Sequence, residues 1–485
     1  MTPLALDSSQ VEERLGPLQR LEALCDHGSI QPVRGAVRSR RMGDRASAGD
    51  GVVGATGTVD GRPLACFAQD PSYLGGSLGE VHADTICAVL EHAGRARIPV
   101  VGFIESAGAR LQEGVAALGG YARIFRAHTA LSGQVPQISV ICGASAGGGS
   151  YAPALTDIVV MTKRASMFLT GPGVVQEVTG EQVDGAKLGG HRVHERNGVC
   201  QLVAENDLDA AWLVRDLIDY LPQNAAERPV RWPAVDPFAS VPDAAVPDSD
   251  RAVYDVRDVA RTLVDGGRLL ELNGRWGRNV VTAFARLDGR SVGIVANQPK
   301  YLGGALNSDA AAKAARFVNT CDAYGLPLVV LVDTPGFLPG VKQEAGGIIR
   351  HGAKLVHAFA AASVPRLTLV MRKAYGGAFI AMNGRDLGAD LALAWPSAQI
   401  GVMGATQAVN LVNRRDIAAA DDPELARTEL ADRYAAEHLT AESAAAEGVI
   451  DEIVEPVATR ARLAGALRTL ANPERPARPA RNIPL

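Results

Sequence analysis

The chain has 485 residues, of which 47% are hydrophobic and 21% charged, with 52 glycines and a formal net charge of -4. That length exceeds what one hydrophobic core fills and predicts two or three domains. The composition is that of a globular α/β protein with many tight turns; it excludes a disordered or fibrous chain, and the charge balance supplies no basic field for nucleic acid.

Six cysteines, at positions 25, 66, 87, 142, 200 and 321, contain no C-x-x-C pair, so reduced thiols are expected rather than a zinc ribbon or a redox dithiol. The opening segment "MTPLALDSSQVEERL" has neither a positive n-region nor a long apolar core, and no apolar run approaches the roughly 18 residues of a membrane span. The expectation is a soluble, cytoplasmic protein without a membrane partner.

In chain order, "YLGG" at Tyr73–Gly76 is followed by an amphipathic helical stretch, "EVHADTICAVLEHAG", closed by Gly94 where a C-cap falls. "IPVVGFIESAG", from Ile98, and "VPQISVICGASAGG", from Val135, read as buried strands, the second running into "GGGSYAPAL" and a helix. "MFLTGPGVV" is an apolar run ending in a turn, and "HRVHERNGVC", residues 191–200, reads as a polar surface loop. Residues 221–250, rich in proline, alanine and acid, read as a linker. The order then repeats: "YLGG" at Tyr301–Gly304, a helical stretch closed by Gly325, "LPLVVLVDTPG" from Leu326, "VPRLTLVMRKAYGG" from Val364 and "QIGVMGATQAV". The end, "ANPERPARPARNIPL", is a Pro/Arg-rich arm.

The repeat is in register. Tyr73 and Tyr301, Pro99 and Pro327, Glu105 and Asp333, and Gly108 and Gly336 are all 228 residues apart, and Gly147-Gly148 match Gly376-Gly377 at 229. This is an internal duplication of one β-α-β-rich unit. It predicts parallel sheets with helical crossovers, with domains at residues 1–235 and 250–485.

"GASAG" fits the serine-hydrolase turn G-x-S-x-G. The duplication argues otherwise, because the match of Ser145 is Ala374 whereas the glycine pair recurs. Asp333 with His351 or His357 completes a hydrolase order only nominally, since Asp333 is already the repeat partner of Glu105. His191, His194 and Cys200 resemble metal ligands but lack a second ligand pair, so no metal is expected. A Gly-Gly step after a strand brings main-chain N–H groups to a ligand with no Cβ in the way, which is how an oxyanion hole is built. Two such steps suit a reaction that develops negative charge twice.

"YLGGSLGE", "ESAGARLQEG", "SAGGGSYAPALTD" and "LTGPGVVQEVTGE" in the first half, with "ANQPKYLGGALNSDAAAKAARFVNTCDAYG" and "RKAYGGAFIAMNGR" in the second, resemble the carboxyltransferase β subunits of biotin-dependent acyl-CoA carboxylases. The resemblance runs from roughly residue 15 to the C-terminus and is nearest to the shorter bacterial acetyl-/propionyl-CoA subunits, including those that supply malonyl-CoA to fatty acid biosynthesis. It implies two tandem crotonase-like domains and a homo-oligomeric, ring-shaped hexamer. Active sites then form between subunits, the N-domain of one chain facing the C-domain of another.

The implied reaction moves a carboxyl group from N1-carboxybiotin to the α carbon of acetyl-CoA or propionyl-CoA, giving malonyl-CoA or methylmalonyl-CoA. By the same resemblance, the N–H groups of Gly147 and Gly148 hold the thioester oxygen and those of Gly377 and Ala378 hold the biotin ureido oxygen. Ala146, Tyr151, Gly376 and Ile380 then line the substrates, Ile380 standing where propionyl-preferring relatives tend to carry Asp. The chain has no Met-Lys-Met motif, so biotin must come on a separate biotinylated α subunit, and the four-cysteine ribbon of some relatives is missing. "ESAGAR" has Ala107 where the family often has a second glycine. The competing readings are a biotin-independent crotonase-fold hydratase or decarboxylase, which needs only one domain, and a scaffold subunit, which would have lost one glycine pair.

Overall fold

A computed structural model describes residues 14–237, 246–247, 249 and 252–470. Parts of the expected linker (238–245, 248 and 250) and the Pro/Arg-rich arm at 471–485 lie outside the described residues. The chain divides into two compact units between Pro229 and Val230. Within the expected linker, Leu221 and Ala225 are buried in the first unit, and Trp232 donates its backbone N–H to Gly289 in the second.

The first unit holds β1 (Gln31–Val33), β2 (Val52–Val59), β3 (Arg62–Gln69), β4 (Val100–Ser106), β5 (Gln137–Ala146), β6 (Ile158–Thr162), β7 (Ser166–Phe168) and β8 (Leu202–Ala204). Their order in the sheet is β1-β2-β3-β4-β5-β6-β8, with β7 paired beside β5. In the second unit β9 (Leu270–Leu272), β10 (Val280–Leu287), β11 (Arg290–Asn297), β12 (Leu328–Thr334), β13 (Arg366–Tyr375), β14 (Leu391–Ala394), β15 (Gln399–Gly401) and β16 (Glu452–Ile453) take the same positions.

The sheets are parallel from β3 to β8 and from β11 to β16, joined by right-sized helical crossovers such as Glu80–Ala96, Val115–Leu131, Ser308–Ala323 and Ile348–Ala361. The expectation of wholly parallel sheets is corrected at one end: β2–β3 and β10–β11 are antiparallel hairpins. Their turns are Asp60-Gly61 and Asp288-Gly289, all four residues at positive φ, the conformation for which Asp-Gly is the strongest short-range signal.

Gly94 does not close its helix, which runs to Ala96 and ends on Arg97 in the left-handed region. A Cβ on Gly94 would lie 2.8 Å from Leu131, so the glycine serves the packing of two helices instead. Gly325, at positive φ just after Ala323, does stand at its helix end. "HRVHERN" is a helix, His191–Asn197, not a loop.

The alternation of buried strand and amphipathic helix gives each unit its own core. In the first, Val100, Ile104, Ile141, Val159 and Met161 pack on Ile86, Val89 and Leu90; in the second, Leu331, Leu367, Leu369 and Trp395 pack on Val259, Leu263 and Leu463. At about 25 cal/mol per Å² of apolar surface removed from water, these clusters are the main stabilising term. No helix among the described residues is long and apolar enough to cross a membrane.

Candidate functional site

In the first unit β5 ends at Ala146, Gly147 turns the chain at φ 59° and ψ -122°, and the helix Gly148–Ala154 begins. In the second, β13 ends at Tyr375, Gly376 takes φ 57°, and the helix runs to Ala381. Both turning glycines sit in the left-handed half of backbone space, which explains why glycine recurs there.

The next residue starts a helix, where a backbone N–H has no preceding turn to bond. Among the described residues, none of Gly148, Gly377 and Ala378 donates its N–H to a backbone carbonyl. Gly147 differs: its N–H donates to the carbonyl of Phe168 at 3.0 Å. The expectation that Gly147 offers an oxyanion amide is thus corrected, because the strand pairing of β5 with β7 consumes that donor. Its part is conformational, and the donor set begins at Gly148.

Tyr121 explains why residue 148 lacks a side chain: a Cβ there would lie 2.6 Å from its ring. The buried Tyr121 hydroxyl stands beside Ser106 and the N–H of Gly149, and burial pushes its phenol pKa up. At Gly377 nothing lies within 4 Å of an added Cβ, so that face of the second turn is open.

Tyr151 and Ile380, 229 residues apart, stand three residues beyond Gly148 and Gly377 and are each 53% exposed. Leu169 and Val402, just after β7 and β15, are also exposed. Ala146 is half-buried against the turn of Gly108, where an added Cβ would lie 3.4 Å from its carbonyl oxygen. The sequence reading missed Tyr121, Leu169 and Val402. The last two were detectable from the repeat, whereas Tyr121 carried no signal in its local pattern.

The recurring "YLGG" is explained by close approach. Its last glycine, Gly76 or Gly304, has positive φ, and a Cβ would lie 2.1 Å from the carbonyl oxygen of Glu105 or 2.3 Å from that of Asp333. The carbonyl of Gly75 accepts the Ala107 N–H at 3.0 Å. Ala107 itself is not at positive φ, so alanine costs nothing there.

Ser145 is fully buried, and its hydroxyl donates to the Gly149 carbonyl at 2.8 Å. It holds the helix start and is no nucleophile. Asp333 is held by Arg372 and Tyr254. His194 and His191 bond to the carbonyls of Met167 and Lys163, and Cys200 is buried. Among the described residues, no three His, Cys, Asp or Glu side chains gather as a metal site requires.

Comparisons with known proteins bear on this geometry. Residues 10–483 match the carboxyl transferase domain family. The methylmalonyl-CoA carboxyltransferase 12S subunit of Propionibacterium freudenreichii is 47% identical, over 96% of this chain and 90% of its own. A biotin-dependent acetyl-/propionyl-coenzyme A carboxylase beta5 subunit of Mycobacterium tuberculosis is 43% identical, over 96% and 88%. The crystal structure of transcarboxylase 12S, a hexamer with methylmalonyl-coenzyme A and methylmalonic acid bound, superposes with a TM-score of 0.92 at 46% identity, covering 97% of this chain and 92% of that one.

Proposed function

Because this chain belongs to the carboxyl transferase family, we propose that its two glycine turns divide a biotin-dependent carboxyl transfer between them, Gly148 serving the acyl-CoA and Gly377 with Ala378 serving biotin. The chain is an enzyme of two crotonase-fold units that transfers a carboxyl group to an acyl-CoA. The observation that carries the division of labour is the recurrence, at matched positions, of a left-handed glycine followed by an amide with no backbone partner.

The acyl-CoA thioester places its carbonyl oxygen on the Gly148 N–H, where negative charge grows as the α carbon becomes nucleophilic. An amide aimed at that charge in a dry site stabilises the transition state by about 2.7 to 4 kcal/mol. Biotin, when bound in its carboxylated form, supplies the carboxyl group that is transferred. The open face at Gly377 fits a urea with one acceptor oxygen, and the exposed apolar Ile380 beside it fits a ring system with little charge. There the N–H groups of Gly377 and Ala378 orient the ureido oxygen and receive the charge left on it. No side chain of this chain is needed as a nucleophile; position and amide dipoles do the work.

Biotin reaches the site on a separate biotinylated α subunit, and the chain assembles as a cytoplasmic hexamer in which a first unit of one copy faces a second unit of another. Acetyl-CoA and propionyl-CoA both react, because one methylene changes binding by only about 1 to 3 kcal/mol. Malonyl-CoA for fatty acid synthesis is one use of the product.

The test is to mix the chain with a biotinylated α subunit, ATP and bicarbonate and to follow carboxylation of both thioesters. Turnover with both is expected, and none without the biotinylated partner. Gly377→Pro deletes one N–H and is expected to abolish transfer with assembly unchanged. Wild-type turnover in that variant would overturn the assignment, and turnover without biotin would favour a biotin-independent decarboxylase or hydratase.

A further inference from the structure

Two buried carboxylates beside the turns remain unused by the transfer itself. Along β4 and β5 the register passes from Ile104↔Ile141 to Ser106↔Ser145, so Glu105 alone faces Cys142, Gly143 and Ala144. Along β12 and β13 it passes from Val332↔Val370 to Thr334↔Ala374, so Asp333 alone faces Met371, Arg372 and Lys373. Each carboxylate therefore sits in a bulge, and in each strand the turning glycine comes four residues after the bulge centre, Gly147 after Gly143 and Gly376 after Arg372. A bulge bends a strand and re-aims the residues beyond it.

The supports also recur. The N–H of Glu105 donates to Gln69 at 3.0 Å and that of Asp333 to Asn297 at 3.3 Å, Gln69 and Asn297 being 228 residues apart. What differs is how the charge is met. Glu105 accepts from Arg20 at 2.6 Å, a residue of the helix Pro17–Leu24 that also donates to Asp207, and from the more exposed Arg14. Its longer side chain fits because residue 143 is glycine, where a Cβ would lie 1.9 Å from its Oε1. The position matching Gly143 is Arg372, and there the shorter Asp333 accepts from that arginine at 3.0 Å and from Tyr254 at 2.9 Å. One half pairs a long acid with a glycine and a guanidinium from a helix; the other pairs a short acid with a guanidinium on the strand.

Buried ion pairs are poor stabilisers compared with apolar packing. Two halves that have exchanged every residue of the pair and kept the pair itself retain it for something besides stability. We propose that Glu105 and Asp333 are matched positioning residues: each carboxylate plugs its bulge and thereby fixes the aim of the amide that comes after it, Glu105 for Gly148 and Asp333 for Gly377. This rests on the carboxyl-transfer reading above.

The experiment compares wild type, Glu105→Gln and Asp333→Asn in the full chain with its biotinylated partner, after thermal melts and sizing confirm folded, assembled protein. Turnover is measured, together with binding of propionyl-CoA and of S-propyl-CoA, a thioether with no carbonyl oxygen for the amide to hold. In Glu105→Gln, kcat is expected to fall about tenfold or more, as for a misaimed oxyanion donor. Propionyl-CoA should bind several-fold more weakly while S-propyl-CoA is unchanged. In Asp333→Asn kcat falls similarly while both affinities stay at the wild-type value.

Equal weakening of both ligands in Glu105→Gln, or wild-type kcat in either variant, overturns the proposal. Should Glu105→Gln fail to fold, Glu105→Asp is read the same way, and failure of both to fold assigns the carboxylate to the scaffold and overturns it too. A wild-type chain that carboxylates nothing defeats the parent reading instead.

Discussion

Ser145 and Gly148 lie three residues apart, and the structure separates what each contributes. The Ser145 hydroxyl is spent on the Gly149 carbonyl. Ser145→Ala therefore removes one buried hydrogen bond, worth about 0.5 to 1.5 kcal/mol. It should lower Tm slightly and leave most of the carboxylation rate, checked by melting and by the coupled assay. The glycines respond unequally although they match in the repeat. Gly148→Ala drives a methyl into the Tyr121 ring, whereas Gly377→Ala meets open space. Overpacking typically costs about 1 to 3 kcal/mol. Thermal melts should therefore show Gly148→Ala destabilised and Gly377→Ala near wild type. The glycine pairs were legible as paired letters, but the asymmetry between them was not, because Tyr121 comes from a helix 27 residues earlier in the chain.

Strands and helices were legible wherever period and burial agreed. β4, β5, β12 and β13 coincide with the apolar runs that the repeat aligned. The two Asp-Gly hairpins escaped because β2, β3, β10 and β11 contain small and polar residues within otherwise buried strands. Gly94 misled because a glycine that lets two helices approach has the same letter as one that ends a helix. The added helices of the second unit, Arg414–Ala419 and Pro423–His438, break the repeat. Ser166 bridges to Gly190 in the first unit, while Gln399 bridges only to Thr440 in the second. They carry their own small cluster of Val409, Ile417 and Ala431. Ile417→Asp buries an unpaired carboxylate there. It should loosen this segment in hydrogen exchange while the exchange of β12 and β13 stays unchanged.

Across the whole chain, acid is expected to act on the two units differently. The first unit buries His82 and His128 as neutral rings. Burial, with the Arg110 guanidinium for His82, lowers the pKa of His82 from 6.5 to about 3, and burial lowers that of His128 to about 4. A group whose pKa is depressed on folding gives stability that is complete above its unfolded value and is lost as pH falls towards the folded one. Between pH 6.5 and 4 each histidine therefore removes up to about 1.4 kcal/mol per pH unit. Melts from pH 7 to 4 should show first-unit signals failing first, and His82→Gln with His128→Gln should flatten that slope. An unchanged slope in the double variant would clear the histidines of the effect.

The amino-acid order alone carried the duplication, the succession of strands and helices, the two glycine turns and the family, because each is written in local pattern and in the spacing between patterns. Folding settled which amides remain free, what fills each bulge and which glycine faces a ring. Those outcomes depend on side chains and carbonyls brought together from distant segments: Phe168 onto Gly147, Tyr121 onto Gly148, Arg20 onto Glu105. A hydrogen bond can be spent only once, and which partner takes it is decided when the strands pair.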